Sequence, residues 1–105
     1  MPSTPRIPIP MPEIEAFCQK WKITEFSLFG SVLRDDFGPD SDVDVLVTFE
    51  ANAHWTLSNW FDMEEELKVL FGREVDMLTH QGVKTMKNWI RRKSILEGTT
   101  HIYAR

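Results

Sequence analysis

Apolar residues change their spacing several times along this chain, and each change marks an element. Ile14, Phe17, Cys18 and Trp21 recur at i, i+3, i+4 and i+7, the stripe of an amphipathic helix that begins near Glu13. Residues 25–29 alternate instead, with Phe26 and Leu28 on one face and Phe29 on the other, which predicts a short strand ending at Gly30. Ser31 has the chemistry of a helix N-cap, and Val32, Leu33 and Arg34 follow as a short helical turn. Residues 35–41 predict a polar loop, since the Gly38-Pro39 pair signals a turn. Alternation resumes over residues 43–49. Val43, Val45, Val47 and Phe49 point to one face, and Asp42, Asp44, Leu46 and Thr48 to the other.

Residues 50–55 read as a loop, and 56–71 as a second long helix with Leu57, Trp60, Phe61, Glu64, Leu67 and Phe71 along one stripe. Gly72 stands where a helix C′ residue is expected. A third strand covers 73–79, with Val75, Met77 and Thr79 opposite Glu74, Asp76 and Leu78. A weaker helical pattern over 82–97 carries Val83, Met86, Trp89 and Ile90, and Gly98 interrupts before residues 101–105. Helix, strand, short helix, strand, helix, strand, helix is the order of an α/β (α+β) fold: a small mixed sheet of three or more strands covered by helices.

Composition narrows this to one folded unit. Five of the six prolines lie in residues 1–12, which predicts a flexible Pro-rich tail ahead of a single domain over 13–105. A chain of 105 residues that is 42% hydrophobic can bury one sizeable core, and seven Phe with four Trp argue against disorder. The net charge of −4 lacks the electropositive footprint of a protein that grips a nucleic-acid backbone, so no direct nucleic-acid binding is expected. A single cysteine, Cys18, excludes an internal disulfide framework and a Cys-rich zinc site, and its place on a helical stripe makes it a small buried hydrophobe. No apolar run approaches the ~18–20 residues of a membrane span, and the N-terminus lacks a signal-type apolar region. A cytoplasmic protein is the expectation.

Two stretches carry chemistry. Gly30 and Ser31, at the end of a strand and the mouth of a helix, suit a phosphate, because backbone N–H groups can approach it closely. Asp42 and Asp44 face one way along a strand, about 6.5–7 Å apart, which lets two carboxylates grip hard cations. Asp76 lies on the polar side of the next strand, and pairing of those strands would add a third carboxylate. Taken alone, an Asp-x-Asp pair reads more readily as a solvated strand end than as a metal site, because Asp is common in turns. A calcium loop starting at Asp40 fails, since Val45 stands where Gly is needed and Ala51 where a bidentate Glu is needed.

The combination is more specific than either half. A strand, Gly30-Ser31, a short helix with Arg34, a loop, SDVDVLV and then the aspartate of REVDMLT resemble the minimal nucleotidyltransferases of the polymerase-beta superfamily, over roughly Ile23 to Tyr103. The stretch with Ile90, Ile95, Leu96 and Tyr103 looks like the closing helix of these proteins. One departure is Asp35-Asp36, where relatives often carry Gly-Glu. The resemblance implies a nucleotidyltransferase fold in which Gly30 and Ser31 hold the β- and γ-phosphates of ATP. Asp42 and Asp44 would bind two Mg²⁺, with Asp76 on the metal that activates the acceptor hydroxyl or serving as its general base. Arg34 would neutralise phosphate, or pair with Asp35 or Asp40. It also implies an antitoxin that transfers AMP from ATP to a tyrosine hydroxyl of a HEPN-type toxin, in a hetero-oligomer. The alternatives are a binding module that neutralises its partner by contact, and transfer to a small molecule. His54 and His80 read as surface loop residues, and Trp55 and Trp60 as core or interface. Lys84, Lys87 and Arg91 read as one solvated helical face favoured by the helix dipole.

Overall fold

The computed structural model describes residues 7–30, 38 and 41–105. Ser31, Arg34, the expected helical turn at 32–34 and most of the loop at 35–41 lie outside them. Helix α1 (Met11–Lys20) starts two residues before the periodicity suggests. A proline in its first turn occupies a position whose N–H has no helical partner. Its buried residues are Ile14, Phe17 and Cys18, the expected stripe, and Ile7 and Ile9 ahead of it pack against the same core.

The core of the fold is a four-stranded mixed sheet in the order β3-β2-β1-β4. Strand β1 (Ile23–Phe29) pairs antiparallel with β2 (Val43–Phe49) and with β4 (Thr100–Ala104), whereas β2 and β3 (Val75–Thr79) run parallel. Residues 100–104 received no element in the sequence pattern. They alternate poorly between buried and exposed positions, and only docking against Glu25–Leu28 makes them a strand. Tyr103 therefore lies in β4, opposite Phe26, and not in a closing helix.

Helix α2 (Leu57–Phe71) opens on a reciprocal cap in which Thr56 accepts from the Asn59 amide and Asn59 accepts from the Thr56 amide. It ends at Gly72, whose φ of 67° places it in the left-handed region. Its buried stripe is rotated from the expected one. Met63 and Leu67 are fully buried, with Trp60, Leu70 and Phe71 beside them, while Leu57 and Phe61 are 71% and 56% exposed. Both stripes have helical spacing. They share Trp60, whose ring meets that of Phe49 at 6.5 Å, and the one that is used adds Met63 and Leu70.

The helix expected over 82–97 is two helices, α3 (His80–Lys84) and α4 (Trp89–Glu97). Each begins on its own cap: the Thr79 hydroxyl accepts from the Gly82 amide, and the Asn88 side chain accepts from the Arg91 amide. The break corrects two expectations. Trp89 and Ile90 are 61% and 64% exposed, leaving Val83 and Ile95 as the buried anchors. Lys84, Lys87 and Arg91 consequently do not share one helical face.

Strand alternation sorts the side chains into two cores. Val43, Val45, Val47, Phe26, Leu28, Val75 and Met77 meet α1 and α2 on one face. Phe29 and Leu46 meet Val83 and Ile95 on the other, which also carries Asp44 and Asp76. Among the described residues, no helix is long and apolar enough to cross a membrane.

Candidate active site

The parallel pairing of β2 with β3 puts Asp76 directly beside Asp44, in a register that also matches Val43 with Val75 and Val45 with Met77. Adjacent strands lie about 4.8 Å apart, so the two carboxylates spring from neighbouring points on the same face. Asp44 is half-buried and Asp76 exposed. On its other side Asp44 is paired with Phe29, the last residue of β1, which brings Gly30 next to it. Gly30 has φ 77°, and a Cβ built there would fall on Asp44 Oδ2 and 3.2 Å from its Cγ. The backbone at Gly30 is thus pressed against the carboxylate as only glycine permits.

Asp42 precedes the first residue of β2 and is exposed. The amide after it, that of Val43, donates to the Glu74 carbonyl at 2.9 Å. The carbonyl before it, that of Ser41, accepts from Arg73 Nη1 at 3.2 Å. The same guanidinium nitrogen donates to the Gly38 carbonyl at 2.7 Å. Arg73 is a residue at this end of the sheet that pattern reading passed over. It sits at a polar position ahead of a strand, and nothing local links it to residues 38–41.

Among the described residues, no three or more His, Cys, Asp or Glu side chains are gathered closely enough to hold an ion. The donor set fits a hard divalent cation: carboxylates on adjacent strands at one end of the sheet, with backbone close by. Of the expected site residues, Gly30, Asp44 and Asp76 are brought together and Asp42 lies next in line. Ser31 and Arg34 fall outside the described residues.

Other polar groups near the sheet have structural roles. Ser27, almost fully buried, is satisfied by a 2.9 Å hydrogen bond with His101 Nδ1. Burial pushes the Cys18 thiol up to about 12, against the opposing pull of Arg105 and with a smaller push from Glu15, so it is a core atom and not a nucleophile.

Residues 14–101 match the family model described as nucleotidyltransferase domain. The Methanocaldococcus jannaschii protein named "Putative protein adenylyltransferase MJ1379" is 31% identical over 83 residues, spanning 79% of this chain and 80% of that one. Protein adenylyltransferase MntA of Thermococcus cleftensis is 34% identical over 67 residues, spanning 64% and 66%. A solved structure described as a "putative minimal nucleotidyltransferase" superposes with a TM-score of 0.66 at 26% identity, covering 88% of both chains. A toxin-antitoxin crystal structure with AMP-PNP shares the fold, with a TM-score of 0.67 at 15% identity over 92% of this chain and 75% of that one. A strand-end glycine against one aspartate, with a second aspartate beside it on a parallel strand, is thus set in the fold of these proteins, and the chain belongs to the nucleotidyltransferase domain family as a nucleotidyltransferase.

Proposed function

We propose that this protein transfers AMP from ATP to a tyrosine hydroxyl of a HEPN-type toxin, in the cytoplasm and with Mg²⁺, and thereby acts as its antitoxin. The observation that carries the reading is the pairing of Asp44 with Asp76 in register, with Gly30 packed on Asp44. The relatives named as protein adenylyltransferases support a protein acceptor. The toxin-antitoxin structure of the same fold supports a toxin as that acceptor.

Asp42, Asp44 and Asp76 would hold two Mg²⁺ ions. When bound there, the metal neutralises triphosphate charge and lowers the pKa of an acceptor hydroxyl. The protein's own residues do the positioning. Gly30 lets the backbone approach the phosphates, and with Ser31 offers them donors, while Arg34 adds positive charge. Asp76, exposed at the sheet end, would take the acceptor proton as the acceptor oxygen attacks the α-phosphorus and pyrophosphate departs. Among the described residues, a single four-stranded sheet with its packed helices offers little wall for an acceptor, which favours a partner that supplies it on its own surface.

The experiment is incubation of the purified protein with Mg²⁺, α-labelled ATP and the toxin encoded beside it, comparing wild type with Asp44→Ala and Asp76→Ala. Label on the partner's tyrosine from wild type alone is the expected result. No label from wild type, or equal label from the variants, would refute the proposal. Variants that still silence the toxin without labelling it would establish neutralisation by contact.

A further inference from the structure

We propose that Arg73 is a positioning residue for the carboxylate pair, holding the peptide before Asp42 extended so that Asp42 and Asp44 stay on one face. This inference rests on the nucleotidyl-transfer reading of the site. The β2–β3 ladder begins at Val43 and Val75, which leaves Asp42 one residue outside it. Side chains two apart share a face only while the backbone between them is extended, and strand ends are among the segments most prone to local opening. At this end a side chain adds hydrogen bonds beyond the ladder.

Arg73 Nη1 reaches the carbonyls of Gly38 at 2.7 Å and Ser41 at 3.2 Å. Those two residues are also hydrogen-bonded to each other. The Ser41 amide donates to the Gly38 carbonyl at 3.1 Å, and the Gly38 amide donates to Ser41 Oγ at 3.0 Å. The guanidinium therefore grips two residues that already hold one another, and charged donors make the stronger class of hydrogen bond. On the far side of Asp42, the Val43 amide is held by the Glu74 carbonyl at 2.9 Å. Arg73 and Glu74 are consecutive, so one short segment ahead of β3 fixes the chain on both sides of Asp42. Two carboxylate-bearing segments are thereby registered by the strand that carries Asp76 as well.

The alternative is that Arg73 only staples the loop and adds stability. Arg73→Met and Arg73→Lys in the full chain separate the two, measured well below their melting temperatures. Amide hydrogen exchange needs no metal. Arg73→Met is expected to speed exchange at Ser41–Val43 at least tenfold while leaving the centre of the sheet protected. Mn²⁺ affinity in the presence of ATP, read by electron paramagnetic resonance, is expected to fall about tenfold, the lower end for loss of a residue supporting metal ligands. Arg73→Lys, which keeps a cationic donor, is expected to recover most of both. Unchanged exchange at residues 41–43, exchange faster equally everywhere, or local loosening with wild-type Mn²⁺ affinity would each overturn the proposal. A wild-type protein that binds no Mn²⁺ would overturn the nucleotidyl-transfer reading together with it.

Discussion

Gly30→Ala has two separable consequences, and Gly72→Ala isolates one of them. Both glycines hold positive φ, 77° and 67°. An L-residue in that region costs about 1–2 kcal/mol, because its Cβ crowds the following carbonyl. For a domain of this size that is a fall in Tm of roughly 4–8 °C per kcal/mol, expected at both sites. At Gly72 nothing lies within 4 Å of an added Cβ, so strain is the whole effect. At Gly30 the new methyl meets Asp44 Oδ2 and sits 3.2 Å from Cγ, tighter than ordinary contact. Either the carboxylate swings away from Asp76 or the Phe29–Asp44 pairing opens. A reacting group displaced by about 1 Å costs on the order of 10²-fold in rate. Thermal melts and the rate of label transfer from ATP are the assays. Gly72→Ala should lose stability and keep transfer, whereas Gly30→Ala should lose both. Equal melting losses with transfer by Gly30→Ala within a few-fold of wild type would refute the claim that Gly30 is glycine for the sake of Asp44.

Asp76→Asn should abolish transfer yet change stability in EDTA by no more than about 0.5 kcal/mol, because Asp76 is exposed; a large fall in Tm in EDTA would contradict this. Cys18 should resist alkylation in the native protein and react once unfolded. Its folded pKa lies at about 12 against 9.0 unfolded, so above pH 9 the unfolded state releases its proton first and stability falls as pH rises towards 12, which denaturant titrations in that window can check. Met63→Ala should cost about 2–5 kcal/mol, since Met63 is fully buried, while Phe61→Ala on the exposed side of α2 should stay within about 0.5 kcal/mol. Equal costs in urea unfolding would mean that the helix buries its other stripe.

Much of the candidate site's layout among the described residues is legible in the amino-acid sequence, because its signals are local. Alternation alone puts Val43, Val45 and Val47 on one face and Asp42 and Asp44 on the other. It puts Asp76 on the polar side of its own strand, and a Gly at a strand end marks where backbone can approach a ligand. Period-two patterning also limits strand register, since a one-residue slip would turn every apolar side chain outward. It does not choose among even shifts, nor between parallel and antiparallel pairing. The match of Asp44 with Asp76 is settled only where the strands meet.

The differences between expected and observed elements have the same origin. Residues 56–71 contain two stripes of helical spacing that share Trp60, Leu67 and Phe71, and the one buried adds Met63 and Leu70, which pack on the core, in place of Leu57 and Phe61. The strand at 100–104 has no pattern of its own and exists through its pairing with β1. Arg73 grips residues 35 and 32 positions away in the chain, a contact no local window contains. Spacing, caps and glycines act over a few residues and are written in the chain itself. The register of the carboxylates, the buried face of α2 and the support behind Asp42 depend on surfaces that touch only after folding, and for that reason the tertiary structure alone decided them.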